Sequence, residues 1–209
     1  MKQLRIKTYC HIKNKQVYLN GKLVFHFEEP SSLGDFMKKV YKHFKLKYTR
    51  FYKMDDISKL GFVASDLILK NLDGSNFKSE DVGLVLSNSN STLVTDSHFQ
   101  ESINNYSDFY PSPSVFVYTL PNIMMGEISI RHGFKGENAF YIFERFQPEF
   151  IVDYINQLFL SQKLKACIGG WVDQSKDSYE AFIYWADNME GDSAIKHTPS
   201  EIENIYNLT

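Results

Sequence analysis

Between residues 139 and 171 the chain changes its hydrophobic period twice. Ala139–Phe143 and Lys165–Trp171 are short apolar runs with strand character. Between them Pro148–Gln162 places Phe150, Ile151, Tyr154, Ile155, Leu158 and Phe159 on one helical stripe. Pro148 suits a first helical position, where an N–H has no partner to lose, and Glu149 and Asp153 favour the positive end of the dipole. Strand, helix, strand in this order predicts an α/β sheet with helices on its faces.

The same alternation extends along the chain. Leu4–Ile12, Val82–Ser87 and Tyr179–Trp185 also read as strands. Helical spacing marks Asp35–Phe44 and Arg50–Leu69, the latter with a stop from Asn71 to Gly74. A shorter helix runs from Thr95 or Asp96 to Ile103, and another opens at Pro121. Val172–Ser178 is too short for a helical crossover, so Tyr179–Trp185 runs antiparallel to its neighbour. The sum is a mixed, mostly parallel five-stranded sheet. Residues 1–187 form the domain, and 188–209 a polar tail expected to be partly loose.

With 209 residues and 43% apolar composition, the chain supports one domain, or at most one and a half. A net charge of −2 gives no reason to expect nucleic acid. Two cysteines, Cys10 and Cys167, make no disulfide framework and fit a reducing, cytoplasmic setting. The longest mostly apolar stretch, Val115–Met125, is too short to cross a bilayer, which takes about 20 residues. Histidines 26, 43, 98 and 197 lack metal-ligand spacing, and no phosphate-binding glycine loop exists, so neither metal nor cofactor is expected.

Four segments in order carry a resemblance. Lys53-Met54-Asp55 opening a long helix is similar to an R-M-D helix. Val82–Ser87 is similar to a G-V-V-I-G-S strand. Pro111–Asn138, preceded by Tyr110, is similar to a segment with Pro, Asn and Gly at the spacing of Pro121, Asn122, Gly126, Gly133 and Gly136. Lys165–Gly170 is similar to an A-D-x-x-x-A-G-G strand. Together they resemble the N-terminal half of the β-ketoacyl-acyl-carrier-protein synthases, which implies a thiolase-like half-fold. Residues 1–49 match poorly apart from the first strand.

The resemblance also marks a departure. The family's nucleophilic cysteine falls at the position of Arg145, and neither Cys nor Ser occurs from Glu137 to Leu160. A guanidinium stays protonated and cannot attack a thioester. The family's C-terminal half, with its two histidines and lysine, lies beyond this sequence. Cys167 reads as a small core residue, and neighbouring Cys10 and His11 point to opposite strand faces, so no replacement dyad forms.

The resemblance implies pairing as a homodimer, or as a heterodimer with a complete ketosynthase that this chain shapes without catalysing. The matching contact residues are Ser114, Phe116 and Tyr118 on a loop and Phe140 and Ile142 on a strand. The pathway implied is of fatty-acid or polyketide type, with aryl-polyene or flexirubin-like pigments as examples. Separately, Lys38, Lys39, Lys42 and Lys45 begin a basic run that suits an acidic acyl carrier protein or an anionic membrane surface, or simply a solvated helix face. Altered chemistry on an acyl thioester is a further alternative.

Overall fold

The computed structural model describes residues 3–70, 72, 77–104, 111–189 and 195–208. The stop expected at Asn71 to Gly74 lies outside them apart from Leu72, as does Tyr110. Strands β1 (Arg5–Lys13), β2 (Gln16–Leu19), β3 (Lys22–His26), β4 (Val82–Asn88), β5 (Asn138–Ile142), β6 (Ala166–Gln174) and β7 (Tyr179–Asp187) form one sheet in the order β3-β2-β1-β7-β6-β4-β5. The helices are α1 (Leu33–His43), α2 (Asp56–Lys70), α3 (Leu93–Ile103), α4 (Pro113–Val117), α5 (Ile123–His132), α6 (Pro148–Leu160) and α7 (Pro199–Asn207). The α/β class read from the sequence holds, and all five expected strands are present.

The sheet is larger and more antiparallel than expected. Among the described residues it has seven strands, and only β4–β5 and β4–β6 pair in parallel. The two extra strands come from tight turns. Asn14-Lys15 and Asn20-Gly21 have φ of 50°, 57°, 51° and 76°, the left-handed pairs that close two-residue hairpins with the twist of their strands. Both turns lie in the segment that resembled the family least. The β1 strand then pairs antiparallel with β7, which joins the N-terminal meander to the β6–β7 hairpin.

Helices cover both faces. On one side α2 lies against β1, β6 and β7 and also packs with α1 and α5, and every residue from Ile57 to Ile68 is buried. That burial explains why α2 is apolar nearly all round. Where α5 crosses α2, Gly61 lets Met124 approach so closely that a Cβ would meet its Sδ at 2.2 Å. On the other side α6 and α7 pack over a second core containing Ile151, Ile155, Phe182 and Tyr184.

The tail past Asn188 is not loose over its described part. Ile6 N donates to Ile195 O and His197 N to Leu4 O, both at 3.0 Å. Thr198 caps α7 by accepting from Glu201 N, Pro199 takes the first turn, and Ile202 and Ile205 are buried. Tyr206 Oη donates to Glu180 Oε2 at 2.6 Å, and His11 lies 2.7 Å from the other oxygen of that carboxylate. Burial opposes ionisation of Glu180, but hydrogen bonds from His11 and Tyr206 and the charge of Lys13 outweigh it and lower its pKa.

Candidate functional site

The parallel strand β5 forms one edge of the sheet. On its inner side Glu137 O accepts from Leu84 N, and Phe143 N donates to Asn88 O, both at 2.9 Å. Peptide groups alternate in direction along a strand, so those of Asn138, Phe140 and Ile142 point to the open side. No described strand pairs there. An apolar edge in this state is a template for another chain.

Apolar surface flanks that edge on both faces. On the α5 side, Phe140 and Ile142 join Pro121, Asn122, Met125, Gly126 and Asn138 around a groove of about 450 Å³. Ile142 is 55% exposed. A Cβ on Gly126 would meet nothing within 4 Å, so nothing inside the protein requires glycine there. On the α6 side, Tyr141, Phe143, Phe150 and Tyr154 form an aromatic cluster, with Tyr141 and Phe150 rings 4.7 Å apart and edge-on. Burial, and then the neighbouring Tyr154 hydroxyl, push the Tyr141 phenol up to about 12.

The strand leads into the turn where the family nucleophile was expected. Arg145 lies between the end of β5 and Pro148 at the start of α6, and it is exposed. Among the described residues no ion pair or hydrogen bond falls on it. Phe146 anchors the turn from below, against Trp171, Phe182 and Tyr206. Both thiols are fully buried, and burial raises both pKa values far above the usual thiol range.

Ser114 and Phe116 lie on α4 rather than on a loop, with Tyr118 as its C-terminal cap, and the three side chains separate. Ser114 is exposed and Phe116 is 54% exposed, its ring against Phe99. Tyr118 instead turns inward and is buried, because its hydroxyl donates to the buried Glu127. Glu127 also accepts from Arg50 Nη2 at 2.8 Å and Tyr48 Oη at 3.1 Å. The sequence reading missed this hub. An acid three residues from Met124, beside Ile128, was its only signal.

Ser89 and Asn90, which follow β4, are tied down. Asp173 at the end of β6 accepts from the backbone N–H groups of Ser89 and Asn90 at 3.0 Å each and from both side chains. The basic quartet lies on α1 and at its C-terminal end, and α1 packs with β3 residue Phe25 at the other end of the sheet from β5. Lys38 pairs with Asp35, and Lys39 sits 4.3 Å over the Phe27 ring. Lys42 and Lys45 are exposed. Among the described residues no group of three metal-capable side chains converges, and no helix is long and apolar enough to cross a membrane.

No protein family matches the sequence, and no curated protein matches it. Solved structures do match in fold. The ishigamide ketosynthase/chain length factor superposes with a TM-score of 0.63 at 15% identity, over 88% of this chain and 62% of that one. A type II polyketide-synthase acyl-carrier protein in complex with its ketosynthase (AntDE:AntF) gives 0.60 at 14%, over 90% and 62%. The complex of the ketosynthase ApeO with its chain length factor ApeC, from Xenorhabdus doucetiae, gives 0.58 at 9%, over 98% and 90%. The chain thus spans under two thirds of the first two matched chains and nearly all of the third. Its fold is the thiolase-like fold of ketosynthases and chain length factors.

Proposed function

We propose that this protein is a ketosynthase-like partner subunit that acts by pairing along β5, with a ketosynthase or with itself, in a polyketide- or fatty-acid-type pathway. The open β5 edge, apolar on both faces and unpaired among the described residues, carries this reading. Gly126 supports it, since its missing side chain leaves room for something outside the protein. So does the match over 90% of a chain from a ketosynthase–chain length factor complex. The turn bearing Arg145 presents a cation where the family's chemistry needs a thiolate, and both cysteines are shut in the cores. The subunit would therefore shape or stabilise a catalytic partner rather than carry an acyl chain itself.

Co-expression with the ketosynthase encoded nearest to it tests the pairing, read by co-purification and light scattering. A stable complex, or a homodimer, is expected. A monomer that ignores the ketosynthase overturns the reading. Incubation with an acyl thioester followed by intact-mass measurement tests the inert turn. An unchanged mass is expected, and a covalent acyl adduct would refute the non-catalytic role.

A further inference from the structure

The basic run that began as a candidate docking helix is redistributed in three dimensions. Lys38, Lys39 and Arg50 are taken up by Asp35, Phe27 and Glu127. Lys45 and Lys47 instead join residues distant in sequence. With Leu46, Asp66, Leu69, Lys70, Arg131 and His132 they line a groove of about 340 Å³. Among the described residues it holds four Lys and Arg cations against the single carboxylate of Asp66, which sum to +3 in a chain whose net charge is −2.

The helix ends do not account for this excess. The C-terminal ends of α1, α2 and α5 all reach the groove, and each attracts cations with about half a negative charge. Three such ends offset about half of the +3. Among the described residues, Lys70 is the one Lys or Arg of the groove that bonds a terminal carbonyl, Phe44 O at 2.9 Å. The charge of Asp66 is already counted in the +3. That residue is buried and already faces Arg131 Nε at 3.4 Å and His132 Nε2 at 2.9 Å. Arg131 is held by Asp66 and by the Tyr48 ring, 5.7 Å from its guanidinium carbon. Its two Nη groups make no hydrogen bond to the described residues, which leaves a planar donor pair of the kind that grips phosphate. The Nζ groups of Lys45 and Lys47 make no ion pair among the described residues either. Lys45 is held at φ 52° by its own N–H to Lys42 O and by Leu46 N to Tyr41 O, so the backbone fixes where this cation leaves the helix end.

We propose that this groove binds a phosphate dianion, as a phosphate monoester or a diphosphate, through Arg131, Lys47, Lys45 and Lys70. The residual positive charge matches the −1.5 to −2 that a phosphate monoester carries near neutral pH. The groove is built by α1, α2 and α5 and does not depend on the pairing proposed for β5.

The test uses the full chain at low ionic strength, with amide chemical shifts followed during titration. Inorganic pyrophosphate, inorganic phosphate and phenyl phosphate are the probes. Saturable shifts confined to 45–47, 66–70 and 131–132 are expected, weakened about tenfold by Lys47→Glu and unchanged by Lys176→Glu on the β6–β7 turn. Phenyl phosphate binding tighter than inorganic phosphate assigns the site to an ester on a larger molecule. Tighter pyrophosphate assigns it to a diphosphate. Shifts scattered over the surface, no saturation at millimolar probe, or equal weakening by Lys176→Glu overturns the proposal.

Discussion

Tyr118 Oη donates to Glu127 Oε1 at 3.1 Å, so α4, which carries the exposed Phe116, is moored to α5 by a buried carboxylate. Burial, and then the charge of Glu127 and the hydrogen bond to it, push the Tyr118 phenol far above its ordinary range and keep it a donor. The Arg50 side chain is half exposed and can turn to water, but the Tyr118 hydroxyl cannot. Glu127→Ala should therefore cost about 2 kcal/mol, mainly from the orphaned hydroxyl. Glu127→Gln keeps an acceptor and should cost about half as much. Urea denaturation measures both. A change within experimental error for Glu127→Ala would show that the mooring is incidental.

A second buried group sets a pH dependence. Burial lowers His197 to about 4. Its Nε2 lies 3.1 Å from Tyr184 Oη and its Nδ1 3.3 Å from Asn156 Oδ1, which suits a neutral ring accepting at one nitrogen and donating at the other. The unfolded chain takes up this proton near pH 6.5 and the folded chain only near 4. The stabilisation is thus complete above about pH 6.5 and is lost as pH falls towards 4. Between pH 7.5 and 5 the loss should be about 2 kcal/mol. In His197→Gln that component should vanish. An identical slope in the variant would assign the dependence to other groups.

Two glycines of the family-like pattern should respond with opposite signs. Gly170 has φ +153°, and a Cβ there would lie 2.1 Å from Phe182 O on the backbone of β7. No rotamer relieves a clash with backbone, so Gly170→Ala should cost about 3 kcal/mol or more. Gly126 is helical, with open space where its Cβ would go. Gly126→Ala should raise stability by up to about 1 kcal/mol. Thermal melting of the two variants decides it. Equal effects would mean that the close approach of β6 and β7 relaxes at little cost.

What could be read from the sequence depended on how local the cause was. The stripe on α6 and the strand character of β4 to β7 lie within single segments; the strands appear as read, and the stripe does except that Phe150 is exposed and Val152 is buried in its place. The sheet order does not, because β1 against β7 joins residues such as Tyr9 and Tyr184, and no local pattern records that pairing. Asn20-Gly21 is a turn signal in plain view, and the Thr198-Pro199-Ser200-Glu201 cap is another. Both lie outside the family-like stretch. At the site, Arg145 stands at the strand-to-helix turn as its sequence position implied. Tyr118 turned inward because its fate rests on Glu127, nine residues on and on another helix.

The β5 edge yields the sharpest test of pairing. Ile142 presents its peptide group and much of its side chain to solvent, so Ile142→Lys removes little burial within the chain. Its cost to the isolated fold should stay within about 0.5 kcal/mol. If β5 is a seam, however, the new ammonium must be desolvated or must splay the two chains apart, and either penalty exceeds what a single strand pairing returns. Complex formation with a ketosynthase, or self-association, should then fall at least tenfold by analytical ultracentrifugation. Leu160→Lys, an equally apolar and exposed change at the far end of α6, should leave assembly intact. If Ile142→Lys assembles like the parent, the pairing surface lies elsewhere and the open edge is only an end of the sheet.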